Sequence, residues 1–418
     1  MSSHLRRSSV RPLLALVIPG IVVGAASAVI LIAVTAVATW LEDIVWTTIP
    51  TALGMPGDAP GWIVLVLTLT GLAVGAVVTF VPGHAGPDPA TTGLAEPPMP
   101  PHVLPGLALA LILVLAGGVS LGPENPILGI NIGLAVAIGL RVLPGLPAAA
   151  WSGLAFAGTI GAMFGTPLAA ALLLSEQPGD PGRPLWDRLF GPLVAAGAGT
   201  MTMLLLSGES FVLDVAPYAS PQPIDLVSGS LIAVAVAAAG MAAVYAFPLV
   251  HAAFRRLGRP LVSLLVGGLV LGVLGVLGGP ISLFKGLEQM KELTERAAEF
   301  SPAALVLLGV IKLVALLVAS GSGFRGGRIF PSVFAAVALG LFFSALFPAV
   351  PQAVALAASL VGMIVAITRS GWLAIFMGGL MVGDPAIIPL LAIIVLPAWL
   401  VVTGRPEMIV RRAEATPA

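Results

Sequence analysis

Two glycine- and proline-rich motifs interrupt long apolar stretches of this 418-residue sequence. GPENP (122–126) precedes the run ILGINIGLAVAIGL, and GSGFRGGRIFP (321–331) precedes SVFAAVALGLFF. Each motif ends with a proline in the first turn of the next predicted helix, where its missing N–H does no harm. A helix N-terminus offers unpaired N–H groups and a partial positive charge, and so attracts anions. The motifs therefore predict an anion site that binds weakly enough to release its ion.

Glu124 is the ionisable residue whose position best fits a gate. It lies in GPENP at the mouth of a predicted helix, where its carboxylate could itself fill an anion site. Protonation would remove that charge and free the site. The alternative is a carboxylate that only caps its own helix.

Other ionisable residues within the apolar runs are functional candidates by default, because charge is costly in a membrane. They are Arg141, Glu176, Lys312, Arg325, Arg328, Arg369 and Asp384. Among them, Arg141, Arg369 and Asp384 fit interfacial anchors better than ligands.

The composition excludes a soluble enzyme. Hydrophobic residues make up 58% of the chain and charged residues 9%, whereas a soluble domain has about 45–50% and 25%. Without cysteine, and with four histidines that lack metal-ligand spacing, we expect no metal and no cofactor. The 19 basic and 19 acidic residues balance, which argues against a nucleic-acid partner. We predict an all-α, multi-pass protein of the cell (inner) membrane.

The uncharged apolar runs differ in length, although about 20 residues are needed to cross a bilayer. Two short runs, 125–140 and 370–383, predict half-helices or re-entrant segments. The run 142–174 is longer than one span and contains the break FGTP (164–167).

Arginine clusters predict orientation and domain organisation, since basic loops favour the cytoplasm. The clusters are Arg6/Arg7/Arg11, Arg255/Arg256/Arg259 and Arg405/Arg411/Arg412. They predict cytoplasmic tails at 1–11 and 405–418, with two transmembrane halves at 12–256 and 257–404. The segment 285–299 has mixed charges and predicts an external helical loop.

A second pair of motifs supports an internal repeat. FGTP precedes LAAALLLSE, and TRSG (368–371) precedes WLAIF. Pro126 and Pro167 are 41 residues apart, and Pro331 and Gly371 are 40 apart. Matching broken helices in two halves are typical of transporters and indicate the binding site. The alternative is that these are ordinary helix breaks.

Over roughly 12–410, these motifs and their order resemble the CLC family of chloride channels and proton-coupled chloride transporters. GPENP is similar to the family's GREGP, and GGRIFP to its GxFxP-type loop. GHAGP (83–87) resembles the GSGIP loop, FGTPLAAALLLSEQ a helix that ends in paired acids, and TRSGWLAIF the TRSPLTG segment. The resemblance implies an inverted repeat of tilted and broken helices, and a homodimer with one pore per subunit.

The resemblance also implies roles for individual residues. Glu124 corresponds to the external gating glutamate and proton acceptor. The backbone N–H groups of Asn125, Arg328, Ile329 and Phe330 become candidate anion donors. The inner-pore loop corresponds to Gly83, His84, Ala85, Gly86 and Pro87, and the paired acids to Glu176 and Gln177.

Several family ligands are replaced in this sequence. His84 stands in place of a coordinating serine, and Met408 in place of a coordinating tyrosine at the central site. Pro123, before the gating acid, has no N–H to offer. Gln177 occupies the inner proton-relay position and cannot ionise. Glu176 could substitute for Gln177 as the proton relay, or could form a structural ion pair near Arg183 or Arg188. His84 could titrate near neutral pH or be an ordinary loop residue.

These features predict transport of small inorganic anions, with chloride first, through a pore gated by Glu124, with proton coupling left open. The alternatives are a fluoride-type or uncoupled anion channel, and a cation transporter with inverted repeats. A cation transporter is disfavoured because the apolar core contains few acidic residues. No intramembrane serine or aspartyl protease motif is complete, so a catalytic residue is not expected.

Overall fold

A computed structural model describes residues 10–94, 96–177, 182–208, 211–218 and 221–410. Of the predicted cytoplasmic arginines, Arg6, Arg7, Arg411 and Arg412 lie outside these ranges. Arg11 falls in the first short helix, and Arg405 follows the last one.

The described residues before 207 form nine α-helices in chain order. They are α1 (Val10–Leu14), α2 (Val17–Asp43), α3 (Ile49–Ala52), α4 (Pro60–Phe80), α5 (Leu104–Ala116), α6 (Glu124–Val142), α7 (Ala148–Phe164), α8 (Pro167–Glu176) and α9 (Leu185–Leu206). A π-helical turn, Ile44–Thr48, joins α2 to α3, and 3₁₀ turns cover Pro89–Thr91 and Pro101–Val103.

Eight more α-helices follow. They are α10 (Pro223–Arg255), α11 (Pro260–Gly278), α12 (Leu287–Glu295), α13 (Pro302–Ser322), α14 (Ile329–Leu346), α15 (Gln352–Thr368), α16 (Gly371–Val382) and α17 (Ile388–Val402). The 3₁₀ turns are Pro280–Ser282, Ala297–Glu299 and Pro385–Ile387. Helix α12 confirms that the charged segment 285–299 is helical.

Within the described ranges, nine helices are long and apolar enough to cross a membrane. Their surfaces carry many exposed large apolar side chains, such as Ile18, Leu205 and Leu400. A soluble protein rarely exposes so much apolar surface, whereas lipid favours it. The predicted all-α membrane architecture is confirmed.

One of the two predicted half-helices is wrong, and the other is confirmed. The run 125–140 belongs to α6, which starts at Glu124 and has 19 residues, enough to span. Helix α16 has only 12 residues. The long run 142–174 divides into α7 and α8 at Gly165, whose φ of +69° ends α7.

Helix packing repeats along the chain. Helix α2 packs against α7 and α9, as α10 packs against α15 and α17. The pairs α6/α7 and α7/α8 likewise have counterparts in α14/α15 and α15/α16, while α4 and α11 pack against each other. The predicted boundary at 256/257 assigns α10 to the first half, which separates it from its packing partners. We propose instead that the halves meet in the segment 207–222.

Small residues allow the helices of the first half to approach closely. A Cβ on Gly24 of α2 would overlap the backbone of Ala195 in α9. Gly158 of α7 and Gly199 of α9 also face neighbouring backbones. Such contacts stabilise helix pairs in lipid, where burial of apolar area between helices contributes little.

Substitution of Gly24 by alanine should therefore destabilise the protein by about 1–3 kcal/mol, because the new methyl group meets fixed backbone. Gly197→Ala in α9 is the matched control, since a Cβ there meets nothing within 4 Å. Thermal unfolding of both variants in detergent tests this packing. Equal midpoints for the two variants would contradict it.

Candidate anion site between two helix N-termini

The two predicted motifs meet in the interior of the protein. Gly122 and Gly327 exchange two backbone hydrogen bonds: Gly122 N–H donates to Gly327 O (3.0 Å), and Gly327 N–H donates to Gly122 O (2.7 Å). This antiparallel bridge joins the loop before α6 to the loop before α14. The N-termini of both helices consequently lie side by side.

The Glu124 carboxyl group lies at the N-terminus of α14, across this bridge. Its side chain is 0% exposed, and Oε1 accepts a hydrogen bond from the Phe330 N–H (2.8 Å). The Ile329 N–H is also close enough to interact with the carboxyl group. Oε2 is buried and has no hydrogen-bond partner within the described residues. A carboxylate oxygen thus occupies a position suited to an anion.

The two bridging glycines leave room for this carboxyl group. A Cβ on either Gly122 or Gly327 would overlap the Glu124 side chain. Packing also fixes the donor, because the Phe330 ring stacks on Phe164 (6.4 Å between centroids) and contacts Phe211 (5.9 Å). Glycines and aromatic rings together set the distance between acid and amide.

Among the predicted backbone donors, only Phe330 donates a described hydrogen bond to Glu124. Ile329 lies beside it at the start of α14, and Arg328 is the residue before that helix. Asn125 is on the α6 side, where its Nδ2 donates to Gly93 O (3.0 Å). The structure therefore brings all four predicted donors into one region.

The predicted inner-pore loop turns tightly in a left-handed conformation. Gly83, His84, Ala85 and Gly86 have φ values of 82°, 51°, 52° and 81°. This conformation is unfavourable for His84 and Ala85 because of their Cβ atoms. The His84 Nδ1 lies 2.9 Å from Val78 O at the end of α4, so this ring is held at a helix terminus.

Arg325 stabilises that strained loop. Its Nε donates to Ala85 O (2.9 Å), and its Nη2 donates to His84 O and Gly86 O (both 3.0 Å). Nη1 donates to Gly323 O (3.0 Å). Sequence reasoning marked Arg325 as a candidate without giving it this role. The available signal was a cation inside an apolar break, which requires polar partners in a membrane.

Arg328 ties two further segments to the same place. Its Nη2 donates to Pro89 O (2.6 Å) and Thr92 O (2.7 Å), and its Nη1 donates to Met408 O. The sequence marked Arg328 as an ionisable candidate but predicted a role only for its backbone N–H, so this side-chain role was missed. Met408 itself is fully buried and is held near α14 through its carbonyl.

Glu176 caps a helix of the second half. Oε1 accepts from the Trp372 N–H (2.7 Å), and Oε2 accepts from the Ser370 hydroxyl, both at the N-terminus of α16. Arg188 instead donates to the carbonyl of Gln177 (3.4 Å). Glu176 thus has neither predicted arginine as its described partner. It lines a cavity with Gln177, Arg328, Ile329 and Asn125.

Lys312 is fully buried, and its hydrogen bonds give it a structural role. Its Nζ donates to three successive carbonyls, those of Ser282, Leu283 and Phe284, at 2.8 to 3.0 Å. These bonds hold the turn before α12 beside the loop that leads to Glu124, since Phe284 N–H donates to Gly118 O (3.0 Å). No group of metal-binding side chains was found within the described residues.

Comparison with known proteins decides the family. The family model described as voltage gated chloride channel matches residues 70–403. The chain belongs to this family, the CLC family. Two relatives named "Putative ion-transport protein YfeO", from Escherichia coli (strain K12 / DH10B) and Shigella boydii serotype 4 (strain Sb227), are each 50% identical over 408 residues. Each match covers 97% of both chains.

Solved structures agree with the CLC fold. A CLC-type fluoride/proton antiporter has a TM-score of 0.74 at 20% identity, with 94% of this chain and 96% of that chain covered. A slow cyanobacterial Cl⁻/H⁺ antiporter has a TM-score of 0.74 at 20% identity, with 95% of this chain and 96% of that chain covered. A eukaryotic CLC transporter has a TM-score of 0.72 at 16% identity, with 96% of this chain and 74% of that chain covered. Identities this low compare folds and do not assign an ion. CLC proteins are transporters or channels, which agrees with the expectation that this chain is not an enzyme.

The contacts of Glu176 predict a measurable capping energy. Glu176→Ala should lower stability by about 1–2 kcal/mol, because the α16 N-terminus loses two acceptors. Glu288→Ala is the control, since Glu288 is exposed and its pair with Lys291 is superficial. Thermal unfolding in detergent measures the effect. If both variants had the melting temperature of the parent, Glu176 would not stabilise the α16 N-terminus.

Proposed function

We propose that this protein moves small inorganic anions, chloride first among them, through a pore lined by helix N-termini and gated by Glu124. The observation that carries the proposal is the buried Glu124 carboxyl group on the α14 N-terminus, bonded to Phe330 N–H. Membership of the CLC family and the fold of its transporters support ion transport.

The gate works by exchange of one negative group for another. The ionised Glu124 satisfies the N–H donors of α14 and excludes an anion. When Glu124 is protonated its attraction to the positive helix end falls, and an anion can replace it. The Gly122–Gly327 bridge keeps both helix ends in place during this exchange.

The central site relies on backbone donors. His84 is bonded to its own helix end and Met408 offers no hydroxyl, so neither supplies the side-chain ligand found at these positions in the family. Backbone N–H groups bind halides and other small anions alike. The selected ion therefore has to be measured, with fluoride as the alternative to chloride.

Uncoupled conduction is the second candidate mechanism. Gln177 cannot carry a proton by ionising, and the neighbouring Glu176 carboxylate is engaged by Ser370 and Trp372. Both observations favour an anion pathway that does not require proton exchange. An antiporter would need another acid for the inner step.

The proposed assembly is a homodimer in the cell (inner) membrane, with one pore per subunit and both termini in the cytoplasm. The basic clusters support this orientation through the positive-inside rule. The two CLC structures described as proton antiporters make protons the second candidate substrate.

Substitution of Glu124 by alanine tests the gate. In the parent, anion flux should rise as external pH falls, because protonation frees the α14 N-terminus. In Glu124→Ala the flux should be high and independent of external pH. Efflux from proteoliposomes across a range of external pH measures both. A variant that keeps the parent's pH response would remove Glu124 from the gate.

Simultaneous recording of anion and proton movement separates the two mechanisms. For uncoupled conduction, a chloride, fluoride or nitrate gradient should drive anion flux without stoichiometric proton flux. Each anion is tested alone, and empty liposomes provide the control. Proton uptake against its gradient, driven by an anion gradient, would establish exchange instead.

A further inference from the structure

The two arginines of GFRGGRIFP have buried charge that is satisfied by neutral groups. Arg325 is 7% exposed and binds four carbonyl oxygens. Arg328 binds three carbonyls, and its guanidinium lies 5.6 Å from the centre of the Phe247 ring. Neither forms an ion pair with any of the residues that the structure describes.

Carbonyl partners satisfy the N–H donors of a guanidinium but leave its charge in place. A buried charge is costly unless it is both hydrogen-bonded and compensated by an opposite charge. The structure meets the first condition at Arg328, whereas the acids that attract it, Asp88 foremost, form no described ion pair with it. A mobile anion is a counter-charge that a transport protein could supply.

Arg328 lines a cavity at the α14 N-terminus, whereas Arg325 lines two other cavities. The cavity beside Arg328 is lined by Ile329 at the α14 N-terminus, by Asn125 at the α6 N-terminus, and by the backbone of Thr92 and Gly93. Helix N-termini from both halves and one guanidinium consequently surround the same space. Each of these groups attracts negative charge.

The other charged groups of this cavity form no described ion pair with Arg328. They are Glu176, Arg369 and Glu407. Glu176 is hydrogen-bonded by Ser370 and Trp372, and Glu407 lies near enough to attract both Arg328 and Arg369. Asp88, whose carboxylate is bonded to His251 (2.9 Å), and Glu96, which accepts from the Gly93 N–H, also attract Arg328 from outside this cavity. Glu124, which also attracts Arg328, is the gate and loses its charge when protonated.

We propose that the Arg328 guanidinium is a fixed-charge ligand of the transported anion, in the cavity that it shares with Asn125 and Ile329. This inference rests on the proposed anion transport and deepens it. The charge of Arg328 takes over the attraction that side-chain hydroxyls at His84 and Met408 would otherwise provide. Because a full charge attracts anions of many shapes, the site should discriminate only weakly among chloride, nitrate and fluoride.

The test measures anion binding to the full-length protein in detergent by calorimetry, with chloride, nitrate and fluoride as separate titrants. Arg328→Gln should weaken the tightest of the three interactions by about tenfold or more, because the fixed charge is lost. Arg328→Lys keeps the charge with fewer hydrogen bonds, so its affinity should stay within about threefold of the parent while its melting temperature falls. Arg296→Gln is the control, because Arg296 is exposed and paired with Glu292 and Glu299.

A purely structural Arg328 gives a different pattern. Both Arg328 variants would then lose stability, and Arg328→Gln would bind anions like the parent, which would overturn the inference. If Arg328→Gln is not monodisperse, anomalous diffraction from bromide-soaked crystals of the parent decides. Bromide beside the Arg328 guanidinium supports the inference, and bromide only at other positions overturns it.

Failure of the inference is distinguishable from failure of the proposed function. If the parent neither binds nor transports any of the three anions, the proposed function itself fails. If the parent transports anions and Arg328→Gln retains the parent's affinity, only the role of Arg328 is wrong.

Discussion

The pair of backbone hydrogen bonds between Gly122 and Gly327 is the constraint on which the site depends. It joins the two halves of the chain at the point where each begins a helix. Because the bonds are made by backbone, they fix the position of both helix ends without occupying the space between them. The absence of a Cβ at both positions leaves that space to the Glu124 side chain.

A second layer of contacts turns this bridge into a rigid frame. Arg325 holds the strained loop 83–86, and Arg328 holds the 89–92 turn and the segment around Met408. Both arginines bind carbonyls, which orients the negative ends of these peptide dipoles toward the guanidinium groups. Because both arginines lie in the loop that leads into α14, the same groups that stabilise the fold also place positive charge beside this helix N-terminus.

Three ionisable groups of the apolar segments illustrate how environment decides role. Lys312 is surrounded by three carbonyls and anchors a turn. Glu176 is bonded by a hydroxyl and a backbone N–H, and caps a helix. Glu124 has one oxygen bonded and the other without a described partner. An incompletely satisfied buried carboxyl group is the one most easily displaced by a competing anion.

The sequence by itself determined the class of protein and the location of its breaks. Lipid tolerates only apolar, internally bonded helices, so composition and run length predicted a multi-pass α-helical protein. The spacing of glycine and proline residues located both helix N-termini and Glu124 between them, since these residues act locally.

Contacts between distant segments were not determined in this way. Only the tertiary structure decided that Glu124 binds the helix of the opposite half, that Glu176 caps α16, and that Arg328 acts through its side chain. These partners are between 80 and 239 residues apart in the chain, from Arg328 and Met408 at one extreme to Arg328 and Pro89 at the other. Local propensity carries no information about such pairs, because they form only when packing brings the segments together.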